Sequence, residues 1–354
     1  MKLMITEISK YRRILLLGSI LFSFGIIKAQ EAGETKAFEL YGHIMTDVGY
    51  NLGQTHPDWF DVSRPTKLPA FENEYGTDGN VYFGVRQTRF GAKAWFPTSI
   101  GELKTQFEFE LFGTGVDAGQ TTFRLRHAYA ELGKFGVGQT WSPFMDIDVF
   151  PNTLEYWGPS GMVFFRNIQI RYMPIQGDSR LTIALERPGA SADQGVYVGR
   201  PELANVNSKF SLPDLSAEYR YAGGFGYVEV AGMLRSIAWE DQNNDPVVDL
   251  SDNVLGWGLN LSSNINFTKS LVGRFQYVFG EGIENYMNDA TNDIGIENNF
   301  SDPKQPVLGV ALPMSGIVAF LDMKWSDKWT SSVGYSSIDI NNTENANPST
   351  FKKG

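Results

Sequence analysis

The stretch FRLRHAYAEL, residues 123–132, decides how the rest of the chain is read. Successive side chains of a strand point to opposite faces. On that rule Phe123, Leu125, His127 and Tyr129 share one face, and Arg124, Arg126, Ala128 and Ala130 share the other. One face is greasy and the other carries two neighbouring guanidinium groups. Such a strand suits a wall between lipid and water. An arginine turned into lipid near the bilayer midplane costs about 2–4 kcal/mol, so the arginine face is the wet one.

The alternation recurs along the chain. In LKTQFEFEL (103–111), Leu103, Phe107, Phe109 and Leu111 oppose Lys104, Gln106, Glu108 and Glu110; LSAEYRY (215–221) sets Leu215, Ala217, Tyr219 and Tyr221 against Ser216, Glu218 and Arg220. FELYGHIMTDVGYN (38–51), LGWGLNL (255–261) and LVGRFQYVF (271–279) read the same way. Connections alternate too. Short ones fall at 97–102, 132–135, 174–179, 222–226, 266–269 and 326–328; long polar ones at about 51–80, 113–121, 142–161, 188–213, 239–253 and 282–313. Short turn, long loop, short turn is the signature of an outer-membrane β-barrel. A soluble β-sandwich also alternates, but strands of about 10–14 residues are long for a sandwich and right for a tilted span. Aromatics such as Trp95, Phe96, Trp325 and Trp329 near strand ends fit interfacial girdles.

This predicts an all-β, transmembrane antiparallel barrel with strands near 38–50, 81–96, 101–112, 122–132, 135–141, 162–173, 180–187, 214–221, 226–237, 254–263, 270–280, 315–325 and 329–338. These are thirteen. Bacterial single-chain barrels use even numbers, so the expectation is sixteen strands with the closing ones missing at the C-terminal end.

The first residues read as an export signal. Lys10, Arg12 and Arg13 precede the apolar run ILLLGSILFSFGII (14–27), too short for a membrane span of about 20 residues. Residues 1–29 are therefore expected to be cleaved, leaving 30–354 as the barrel. Cleavage removes Lys2, Lys10, Arg12, Arg13 and Lys28 but only Glu7, so the net charge falls from −10 to −14. So acidic an exported chain is a poor partner for nucleic acid. It has no cysteine, hence no disulfide or thiolate chemistry. His43, His56 and His127 are too few and scattered for a transition-metal centre. Acidic runs at 244–253 and 288–299 lack the spacing of a calcium loop and read as solvated loop. A barrel hydrolase would need a serine and a histidine together on the wall. His127 has only Leu125 and Tyr129 as same-face neighbours, so no enzyme and no cofactor are expected.

Parity places Arg89, Lys93, Arg124, Arg126, Arg171, Arg220 and Arg274 in the lumen. Guanidinium groups hold carboxylates through two parallel hydrogen bonds, so a cluster can gather and align anions. The same arginines can instead brace the barrel against Glu108, Glu110 and Glu218. The loop WSPFMDIDVFPNTLEYWGPSG (141–161) is less polar than the other long loops. So apolar a loop is expected to fold inward as a constriction over 142–161, setting Asp146, Asp148 and Glu155 opposite the arginines.

Finally, RQTRFGAKAW (86–95), GELKTQFEFELFG (101–113), TFRLRHAYAELGKFGVGQTWSPFMD (122–146), PSGMVFFRNIQIRY (159–172) and PDLSAEYRY (213–221) resemble the DcaP-like outer-membrane porins. The similarity is densest over 86–221. It implies a sixteen-stranded homotrimer in the outer membrane of a Gram-negative bacterium, passing small organic anions such as dicarboxylates. It also implies that Arg124, Arg126 and Arg171 line the lumen and that His127 and Tyr129 face lipid or a neighbouring subunit. The competing expectation is a surface barrel whose long loops bind a glycan or another partner.

Overall fold

A computed structural model describes residues 37–354. The export signal expected over 1–29 lies outside them. Thirteen strands form one antiparallel sheet in chain order. They are β1 Phe38–His43, β2 Arg89–Thr98, β3 Gly101–Phe112, β4 Thr121–Leu132, β5 Phe135–Trp141, β6 Arg166–Ile175 and β7 Arg180–Glu186. Then follow β8 Asp214–Gly223, β9 Gly226–Asp241, β10 Asp252–Asn266, β11 Leu271–Glu281, β12 Pro313–Lys324 and β13 Thr330–Ile340. Each pairs with its successor, as short turns between antiparallel neighbours require. A short segment, Val206–Lys209, adds to the outer end of β9. β1 and β13 end the path, and Ile338 and Ile340 of β13 exchange backbone hydrogen bonds with Lys352 and Gly354.

The strand predicted over 38–50 is broken. Gly42 sits at φ +146°, where a Cβ would run into the carbonyl oxygen of Arg89. The chain resumes as a separate hairpin, Asp47–Asn51 with Asn80–Gly84, and the Thr88 hydroxyl fills the gap by bonding the backbone of Met45. Glycine's wide backbone freedom permits that conformation, and the pairing with β2 ends one residue later, at His43.

The sheet is inverted relative to a soluble protein. Along β8, Asp214, Ser216, Glu218 and Arg220 are buried while Leu215, Tyr219 and Tyr221 are exposed. Ile170, Leu255 and Tyr335 are each 63% exposed on the outer face. An apolar face this continuous belongs against hydrocarbon. Inside the wall lies a compact apolar cluster. Phe144, Met145, Val149, Met162 and Val163 come from the loop after β5, and pack on Met233, Val278, Ile283, Tyr286, Met314 and Ile338. The loop is thus held by ordinary apolar burial, worth roughly 1.5–3 kcal/mol per large side chain.

Candidate functional site: a charged passage beneath an inward loop

The site begins at an irregularity in the opening strand. Between β3 and β4 the register runs Glu110 opposite Arg124, Phe109 opposite Leu125, then Glu108 opposite His127. Arg126 is the extra residue of a β-bulge. A one-residue slip moves every later side chain to the other face. Before the bulge Phe123 and Leu125 point outward, as read. Beyond it the reading is overturned: His127 is 5% exposed, its Nδ1 lies 3.0 Å from the Thr140 hydroxyl, and its ring stands edge-on to Trp141. The Tyr129 ring lies 5.0 Å from the Arg171 guanidinium. Neither His127 nor Tyr129 faces lipid; Ala128 and Ala130 take that side.

Around the bulge, four guanidinium groups gather on two carboxylates. Arg126 donates Nε to Glu108 at 2.5 Å and Nη1 to Glu110. Arg89 stands 3.6 Å from both acids, Arg124 3.4 Å from Glu110, and Arg166 3.8 Å from Glu110. Tyr41 donates its hydroxyl to Glu108 at 2.7 Å and Tyr156 donates to Glu110 at 2.5 Å. Lys93 lies 5.1 Å from the Tyr41 ring. Arg126 and the tyrosines hold the short hydrogen bonds to both Glu108 oxygens and to Oε2 of Glu110, while Arg89 and Arg124 hold only long contacts and keep about 28% and 32% of their side chains exposed.

The inward loop is pinned on the far wall. Arg220 donates to Asp146, Asp148 and Glu229, each at 2.6 Å, and its guanidinium stacks 3.6 Å from the Tyr227 ring. Asp146 also accepts from Tyr227 at 2.7 Å and Ser262 at 2.6 Å. Asn260 donates to the Phe144 carbonyl at 2.9 Å. Asn264 and Arg274 both donate to the Asp148 carbonyl, and Arg274 also pairs with Asp322. Asp146 and Asp148 therefore do not stand opposite arginines across a gap. They are in direct contact with one. Glu155 meets no arginine among the described residues: its carboxylate accepts from the Trp157 amide at 3.0 Å. Burial raises its pKa above the ordinary glutamate value, and the charges of Asp61 and Asp47 add to the rise.

Two cavities flank the loop. One of about 510 Å³ is lined by Arg89, Arg126, His127, Glu155 and Tyr156. Another of about 380 Å³ is lined by Lys104, Glu131, Arg171, Arg180 and Glu218, nearer the short turns. Trp141 and Ile147 line both. Arg171 bonds Gln169 at 3.0 Å and the Trp141 carbonyl at 2.6 Å, and has no carboxylate partner among the described residues.

Several charged residues escaped the sequence reading. Arg235, buried between Asp214 and Asp293, lies on the inner parity of β9, so alternation could have found it. Arg180 bridges Glu218 and Glu229 from the first residue of β7. Arg166 sits where the loop meets the wall and is out of phase with Arg171 by parity. Arg86 pairs with Asp61 within the connection between β1 and β2, and Arg64 with Asp289 joins loops far apart in sequence. The Arg64 guanidinium lies 4.2 Å from both the Trp59 and Trp157 rings, tying the first long loop to the inward one.

The comparisons with known proteins agree with this architecture. A family model described as DcaP outer membrane protein matches residues 26–349. Among solved structures, the outer membrane channel DcaP of Acinetobacter baumannii superposes with a TM-score of 0.70 at 17% identity, covering 87% of this chain and 81% of that one. A loop L8 deletion mutant of OmpT, an outer membrane protein of Vibrio cholerae, superposes at 0.49 with 13% identity, over 86% of this chain and 82% of that one. No curated protein matches in sequence.

Proposed function

The chain belongs to the DcaP outer membrane protein family and is a β-barrel of the bacterial outer membrane, and on that footing we propose that it is a porin for small organic anions, dicarboxylates in particular. The observation that carries this reading is the surplus of arginine along the passage. Four guanidinium groups meet two carboxylates at the bulge, and Arg171 beyond it has no carboxylate of its own among the described residues. A carboxylate solute supplies the acceptors these donors lack. The loop over 142–161 acts as the constriction, held rigid by Arg220, with Trp141 and Ile147 at the narrow point between the two cavities. Solutes enter from outside, meet Arg89 and Arg124, pass Trp141 and leave past Arg171 and Arg180. The driving force is the concentration gradient alone. The working assembly is a homotrimer, as the resemblance of the 86–221 segment implies.

The test is ion selectivity in a planar bilayer. With a gradient of potassium succinate across the membrane, the reversal potential of an anion-preferring pore has the sign set by succinate. Conductance steps in groups of three are expected from the trimer. A cation-preferring reversal potential would sink the anion reading.

A further inference from the structure

The outer loops build a second cavity with a chemistry unlike the passage. It holds about 140 Å³ and lies between the loop over 188–213, the outer end of β9 and the hairpin Ile294–Asn298 with Val307–Ala311. Leu203, Phe210, Ile237, Trp239, Leu250 and Ile296 form its apolar lining. None of its lining residues is charged, and none also lines the two cavities beside the inward loop. Its one nitrogen-bearing ring is already committed: Trp239 donates Nε1 to the Leu250 carbonyl at 2.6 Å, which fixes the indole and turns its carbon face to the space. Ser191, Gln194, Asn207 and Ser208 are the cavity's polar lining residues. The walls do not depend on the space being filled. Tyr197, Leu203, Leu250 and Ile296 form a small apolar cluster of their own, and Arg235 under the floor is satisfied by Asp214 and Asp293.

From this geometry we propose that the pocket is a binding site for a small, neutral, mainly apolar molecule about the size of benzene. The pocket is half open to solvent, and its volume is close to the roughly 150 Å³ of an apolar cavity that takes up benzene. Neutrality follows from the lining. An ion placed here would lose part of its hydration and find no opposite charge on the lining, a cost that burial of an apolar ring does not carry. One hydroxyl or amide is accommodated by Ser191, Gln194, Asn207 or Ser208. The site is therefore distinct in ligand class from the passage, where every argument favours anions.

The experiment uses the full chain in lipid nanodiscs, with fluorobenzene as the probe observed by ¹⁹F NMR. Two variants close the pocket. Ala238→Leu adds bulk to its wall. Gly309→Ala places a Cβ 2.6 Å from the Trp239 ring and pushes the indole inward. Probe dissolved in lipid gives the same signal in all three proteins, so the difference between them reads the pocket. A bound resonance in the wild type, lost in both variants and unmoved by excess succinate, is the expected result. Identical spectra from all three proteins, each with wild-type conductance to show an intact barrel, would overturn the proposal. Displacement of the probe by succinate would overturn the neutral ligand class.

Discussion

Arg220 and Arg171 both point into the barrel from neighbouring parts of the wall, yet they are in opposite electrostatic conditions. Arg220 is buried among Asp146, Asp148 and Glu229, with each of its three nitrogens bonded to a carboxylate. Arg171 faces a cavity, and its hydrogen bonds go to an amide and a backbone carbonyl. Arg126 belongs with the first kind; Arg89 and Arg124 belong with the second. Residue type and inward orientation are therefore not enough to mark a solute contact. What separates a brace from a contact is how completely nearby carboxylates consume the guanidinium donors.

The sharpest way to break this distinction is to remove a brace. Arg220→Ala leaves Asp146 buried without its cation and Glu229 with Arg180 alone, and breaking a buried ion pair from one side costs about 3–5 kcal/mol. Urea unfolding of the refolded barrel should show a loss of that order. The freed loop should also make the open-channel current noisier. A stability change under about 1 kcal/mol would mean that the inward loop is held by its apolar packing alone.

Next in size is Tyr156→Phe. It removes one donor from Glu110, a fully buried carboxylate, and a hydrogen bond to a charged group is worth about 1.5–3 kcal/mol. Arg124→Ala should do the reverse of Arg220→Ala. Its contact is long and partly solvated, so stability should change by no more than about 1 kcal/mol, while succinate conductance should fall clearly. Equal losses of stability in Arg124→Ala and Arg220→Ala would erase the two classes.

The smallest expected effect is a pH dependence. Burial raises the pKa of Glu155 in the inward loop. A raised carboxyl contributes stability below its unfolded pKa and loses that contribution as pH rises through the folded value. In the same window the cavity gains a negative charge, so anion current should decline as pH rises above the usual glutamate range. Glu155→Gln should flatten that decline; an unchanged profile would take Glu155 out of the passage.

Much of this was legible in the alternation, for a physical reason. Lipid on one face and water on the other impose a period of two on the strands, so the strand positions outside 38–50 and 81–96, and the inward parity of Arg89, Arg124, Arg126, Arg171, Arg220 and Arg274, could be read directly. The apolar content of 142–161 likewise announced a loop that seeks cover. The bulge at Arg126 was hidden, because one extra residue leaves no mark in composition. Its consequence was visible all the same: His127 and Tyr129 on a supposed lipid face, with Ala128 and Ala130 on a supposed water face, is a phase error. The pairing of each arginine was not readable. Asp146 meets Arg220, and Asp289 meets Arg64, across long separations that only the closed loops define.

The most direct test of the account is the reversal potential in a succinate gradient, compared between wild type, Arg124→Ala/Arg171→Ala and Arg220→Lys. The account predicts an anion-selective wild type, a double variant whose selectivity falls toward neutrality while its barrel remains folded, and an Arg220→Lys variant that keeps anion selectivity. Selectivity unchanged in the double variant and lost in Arg220→Lys would contradict it, because the braces, and not the underpaired arginines, would then be choosing the solute.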